Sequence, residues 1–151
     1  HNIYGPYGTY DGGREKAPAA LCRKVIMANK NSDDKIEVWG DGMQTRTFLY
    51  IDDCIEATRR LVDSDFIGPI NIGSEEMVTI NELVDTAAKV ANKKVTKNHK
   101  LDAPLGVRGR NSNNDLIREK LKWDFEISLG RGIEDTYNWN SSQLRKKHKN
   151  L

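Results

Sequence analysis

Apolar residues recur along this chain at two different spacings, and the switches between them divide it into alternating strands and helices. Asn2-Ile3-Tyr4-Gly5-Pro6 predicts the end of a strand running into a loop, which Gly8, Gly12 and Gly13 keep irregular as far as Lys16. From there Ala17, Ala20, Leu21, Val25 and Ala28 fall on one helical face, with Pro18 tolerated in the first turn. Ile36-Glu37-Val38-Trp39 alternates as a short strand, and Gly40-Asp41-Gly42 turns it into a second extended run, Thr47 to Ile51. Asp52 is placed to cap the next helix, whose expected inner stripe is Ile55, Thr58, Leu61 and Val62.

Pro69-Ile70-Asn71-Ile72 predicts a short strand closed by Gly73. Thr79 with Glu82 matches a capping box, heading a helix in which Ile80, Leu83, Val84, Ala87 and Ala91 share a face and Asn92 is the stop. A strand at Val95 to Lys97, a short helix at Asn114 to Leu121, and a last helix opened by Ser128 and running through Ile133, Tyr137 and Leu144 complete the pattern. The class is mixed α/β. Without a repeat or a low-complexity linker, residues 1–151 read as one compact unit.

Composition narrows the function. No apolar run approaches the ~20 residues of a membrane span. The 24 Lys and Arg against 22 Asp and Glu leave a net charge of only +2, which does not mark a nucleic-acid binder; the basic run Arg145 to Lys149 reads as a solvated helix end. Cys22 and Cys54 have no metal-ligand spacing and read as reduced thiols in helices, and His1, His99 and His148 are too far apart for a local metal motif.

Four positions invite chemistry. Lys24 occupies the apolar stripe of its own helix, where a lysine either snorkels to water or aims its charge at an anion in a cleft. Arg46 stands before a strand, and Arg108 and Arg110 flank Gly109; three guanidinium groups beside glycine turns suit a diphosphate, because each offers paired donors and a charge that does not titrate away. The glycines of residues 5–12 do not form a dinucleotide fingerprint, since only four residues precede Gly5 and no helix follows until about Ala17. No Tyr-x-x-x-Lys pair and no Gly-x-Ser-x-Gly turn occurs.

The order of these landmarks resembles the extended short-chain dehydrogenase/reductase family of NAD-dependent nucleotide-sugar epimerases and dehydratases, in its C-terminal part. The motifs that carry the resemblance are Asn2-Ile3-Tyr4-Gly5-Pro6, Gly40 to Phe48 with Ile51-Asp52-Asp53, and Asn71-Ile72-Gly73-Ser74, with Thr47 where the family often has Asp. Gly12 to Pro18 and Val107 to Ser112 resemble more narrowly the GDP-mannose 3,5-epimerase branch, on the route to ascorbate. This resemblance implies an isomerase that takes GDP-mannose to GDP-L-galactose. The hexose is oxidised at C4 by NAD, exchanges protons at C3 and C5, and is reduced again.

The resemblance also implies roles for individual residues. Asn2 would contact the substrate, and Glu15, Lys16 and Ala17 would line the hexose, with Lys16 as catalytic acid or base. Lys24 would meet the diphosphate, and Gln44, Thr45, Arg46 and Arg110 would complete the GDP site. A catalytic lysine must titrate near neutrality, and burial beside cations such as Arg14 or Lys24 is a way to achieve that. Further expectations are a cytoplasmic homodimer in the whole protein and a catalytic cysteine upstream of His1. With no initiator Met, the chain is expected to be an inactive fragment that lacks the N-terminal Rossmann half and holds no NAD alone. The alternatives are another nucleotide-sugar epimerase, dehydratase or decarboxylase of the family, or a non-catalytic module that binds GDP-sugar.

Overall fold

The computed structural model describes residues 2–28 and 35–149, apart from the side chains of 148 and 149. His1, His148 and the end of the basic run therefore lie outside the described side chains. Strand β1 (Asn2–Tyr4) is followed by α1 (Ala17–Met27), β2 (Lys35–Trp39), β3 (Thr45–Tyr50) and α2 (Ile51–Val62). Next come β4 (Met77–Thr79), α3 (Ile80–Val90), β5 (Thr96–Lys100), α4 (Asp115–Leu121) and α5 (Leu129–Lys149).

β3 is the centre of a three-stranded sheet, parallel to β1 through Asn2–Phe48, Ile3–Leu49 and Tyr4–Tyr50, and antiparallel to β4 through Thr45–Thr79. The strand Gly40-Asp41-Gly42 turns out of does not pair with it. Instead β2 runs parallel to β5 in a separate two-stranded sheet. Both faces of β3 are covered, which explains its unbroken buried run from Thr47 to Tyr50. Phe48 and Tyr50 enter one core with Tyr4, Leu21, Val25, Val38, Leu83 and Ile133, between α1, α3 and α5. Leu49 enters a second core with Ala57, Ile117, Leu121 and Trp123, under α2 and α4. Gly132 of α5 lies against the Tyr4 ring and hydroxyl, where any Cβ would collide.

The capping box at α3 forms as predicted: Thr79 accepts from the Glu82 amide and the Glu82 carboxylate accepts from the Thr79 amide. Asn92 ends that helix in the left-handed conformation, at φ 50°. Three expectations are corrected. Residues 69–72 form no strand, although Ile70 and Ile72 pack on the second core. The inner face of α2 is Asp53, Cys54, Ala57 and Leu61, while Ile55, Thr58 and Val62 are exposed. Asp52 lies in the first turn and Tyr50 is the N-cap, without a side-chain cap. The buried carboxylate is Asp53, which accepts the amides of Glu126 and Ile127 and so ties α2 to the segment before α5.

Candidate functional site

One cavity of about 520 Å³ opens between α1, β2, the start of β3 and the segment 101–110, within the range of small-ligand sites. Glu15, Lys16, Ala17 and Lys24 reach it from the head and inner face of α1, Asn2 from β1, and Gln44 and Arg46 from the entry to β3. Of the nine site residues expected from sequence, these seven share the cavity. Thr45 and Arg110 do not line it; they are joined to each other, the Arg110 amide donating to the Thr45 carbonyl at 3.3 Å. Arg108 is also outside the lining, its guanidinium held by both Asp41 carboxylate oxygens at 2.9 Å. Of the three arginines read as a phosphate set, only Arg46 faces the cavity.

Lys24 resolves its two readings into one geometry. Its ammonium reaches the edge of the helix, donates to the Glu37 carbonyl at 3.0 Å and stands in the cavity wall. Arg46 donates to the carbonyls of Thr45 at 2.7 Å and Leu105 at 3.4 Å, two neutral acceptors that an anion would outcompete. Gln44 is buried and donates to the Trp39 carbonyl at 2.7 Å; its Oε1 has no partner among the described residues, which leaves an acceptor for a ligand N–H or O–H.

Among the lining residues not expected from sequence, three bring a charge or a polar aromatic face. Trp39 alternates outward on β2 and is 53% exposed, its indole N–H held by Glu37 at 3.1 Å, so an aromatic face borders the cavity. Glu37 itself was read only as the polar position of a strand. Arg23 donates to the Tyr10 carbonyl at 2.8 Å and to Glu15 at 3.0 Å. The Glu15 carboxyl lies below its usual range, through its own backbone amide, the Arg23 guanidinium and the Gly13 amide. Neither Arg23 nor Trp39 belongs to a motif, and only their positions on a helix edge and an outward strand face hinted at exposure to a cleft. The lining holds four cations, Lys16, Arg23, Lys24 and Arg46, against two carboxylates, Glu15 and Glu37. Its balance favours an anion.

Lys16 is exposed, so the burial expected of it is not supplied by these residues, and Arg14 is exposed outside the lining. Neither cysteine lines the cavity: burial pushes the Cys22 thiol up to about 12, and Cys54 packs on the second core. Among the described residues no cluster of three or more His, Cys, Asp or Glu could hold a metal, and no helix is long and apolar enough to cross a membrane.

The model of the NAD dependent epimerase/dehydratase family matches residues 1–73. GDP-mannose 3,5-epimerase of Arabidopsis thaliana is 51% identical over 97% of this chain, and GDP-mannose 3,5-epimerase 1 of Oryza sativa subsp. indica is 50% identical over the same share. Among solved structures, a UDP-glucuronic acid 4-epimerase of Bacillus cereus, in complex with a UDP-sugar and NAD, superposes over 95% of this chain with a TM-score of 0.80 and 29% identity. This is part of an extended short-chain dehydrogenase/reductase fold. The chain spans 38% of the length of the two plant relatives and 43% of the bacterial structure.

The extended short-chain dehydrogenase/reductase fold implies NAD, and the described residues do not fit it. A dinucleotide diphosphate needs a short glycine turn from a strand into a helix N-terminus. Here β1 ends at Tyr4, α1 starts only at Ala17, and the head of α1 faces the cavity just described.

Proposed function

We propose that this chain carries the GDP-sugar site of a GDP-mannose 3,5-epimerase, as the substrate-binding portion of a longer protein. What supports the reading is one cationic, aromatic-edged cavity in a chain half identical to such enzymes. Lys24 and Arg46 provide charge for the diphosphate, and the exposed face of Trp39 a platform for the guanine base. Glu15, Lys16 and Ala17 at the head of α1 are assigned to the hexose, with Asn2 of β1 as a further substrate contact and Thr45 and Arg110, joined to each other outside the lining, to the GDP end.

The chemistry needs a proton carrier there. When the hexose bears a carbonyl at C4, loss of a proton from C3 or C5 gives an enolate, and inversion requires a proton taken from one face and returned on the other. Lys16 Nζ is the group assigned to one of those transfers, and enclosure by the bound hexose supplies the desolvation that it lacks in this chain. NAD and the opposing acid or base are assigned outside these residues. The whole protein is read as a cytoplasmic homodimer on the route to ascorbate.

Titration of the chain with GDP and UDP tests the site: tighter GDP binding is expected, and equal or reversed preference favours a UDP-sugar enzyme of the same fold. In the complete protein, Lys16→Met is expected to abolish epimerisation of GDP-mannose while GDP still binds. Turnover that survives the change removes Lys16 from the mechanism.

A further inference from the structure

The loop 5–16 delivers Glu15 and Lys16 to the cavity, and it forms no strand or helix of its own. Its backbone takes positive φ at Gly5, Tyr7, Gly12 and Gly13, so it cannot run as a ladder strand. A shallow cleft of about 430 Å³ opens between residues 7–12 and Lys147. Two clamps restrain the loop. On the inner side, one guanidinium, Arg23, binds the Tyr10 carbonyl and Glu15 together. On the outer side, Trp139 of α5 lies against Tyr7 at 5.6 Å and edge-on to Tyr10 at 5.4 Å and 84°, and Lys147 donates to Asp11 at 3.2 Å.

Tyr10 belongs to both clamps, its ring on Trp139 and its carbonyl on Arg23. A continuous path of contacts therefore runs from α5, outside the cavity, to the carboxylate beside Lys16. The geometry points to Trp139 as a positioning residue for the hexose end of the site. It acts through Tyr10 and Arg23 on Glu15 and Lys16 and touches no ligand itself. This rests on the GDP-sugar reading of the cavity, because that reading makes the head of α1 the hexose end.

Trp139→Ala and Trp139→Phe test it, with two readouts on the chain: tryptic cleavage after Arg14 or Lys16, and calorimetric titration with GDP and with GDP-mannose. Loss of both ring contacts in the alanine variant is expected to speed cleavage about tenfold. The same variant should keep GDP affinity within about twofold and lose the preference for GDP-mannose over GDP. The phenylalanine variant, which retains an edge-to-face partner, should restore both. Cleavage at the wild-type rate in Trp139→Ala, an equal fall in affinity for both ligands, or no rescue by phenylalanine overturns the inference. A wild-type chain that binds neither ligand instead overturns the GDP-sugar reading and with it a role at the hexose end, while the cleavage rates still show whether Trp139 holds the loop.

Discussion

Lys24 shows how much one misplaced charge says and where it stops. Its place in the stripe of α1 was legible in the sequence, and so was the conflict between apolar neighbours and a cation. What it meets, the Glu37 carbonyl in a cavity wall, depends on where β2 packs. Arg46 was legible in the same way, whereas Arg108 was read as its equal and is spent on Asp41, a pairing 67 positions apart. Trp39 was read only as a strand residue, because alternation shows that a side chain points outward but not what it borders. At this scale, Arg46→Ala is expected to weaken GDP binding by about 1.5–3 kcal/mol through loss of a charge-assisted contact. Trp39→Ala should cost about 1–3 kcal/mol through loss of base stacking. Calorimetry with GDP and with inorganic pyrophosphate separates them: Arg46→Ala should lower both affinities, and Trp39→Ala only that for GDP. A Trp39→Ala variant equally impaired with pyrophosphate removes the base platform.

Among the elements, the helices with internal punctuation were read well. Thr79 and Glu82 sit within one turn and need only each other, so the head of α3 could be named before any packing was known. α2 was read correctly at Leu61 but otherwise on the wrong face, because its large apolar residues Ile55 and Val62 stay in solvent, while the small Ala57 and the charged Asp53 are buried. Close approach to Leu49 and Ile117 favours a small side chain there, and Asp53 is compensated by two backbone amides from a distant segment. Neither cause is local. Ala57→Leu is accordingly expected to destabilise the chain by about 1–3 kcal/mol through overpacking. Val62→Ala should change stability by less than about 0.5 kcal/mol. Urea unfolding of the two variants checks this; the reverse order would restore the face expected from the sequence.

Across the whole molecule, several carboxylates hold together segments that the chain separates. Asp41 is kept below the usual carboxylate range by the Met43 amide and Arg108, which ties the turn after β2 to the segment 101–110 that contributes Pro104 and Leu105 to the cavity wall. Glu75 is lowered by Arg118 and the Asn114 amide, joining residue 75 to α4, and Glu15 is lowered with the loop anchored on Arg23. Depressed values in the folded state mean that these groups contribute fully above the ordinary carboxylate values of 3.8 and 4.5, and that the contribution is lost as pH falls through and below them. The urea midpoint is therefore expected to be flat from pH 7 to about 5 and to fall modestly below about 4.5, because these pairs are partly screened by solvent. Glu75→Gln should begin from a lower midpoint at neutral pH and lose less on acidification; a wild-type midpoint unchanged at pH 3.5 would show that these pairs do not support the fold.

What the sequence determined by itself was whatever is decided within a turn or two: the helix heads and stops, the alternation of β2, the class, and a set of motifs whose order resembles one family. The tertiary structure decided the rest, because it depends on partners tens of residues away. It fixed which edge β2 pairs with, which face of α2 is buried and that residues 69–72 are not a strand. It also chose which of three similar arginines faces the cavity and which is consumed by an aspartate. Local patterns fix conformation through short-range sterics and hydrogen bonds, whereas a site is made by groups brought together from β1, α1, β2 and β3, and only packing chooses those neighbours.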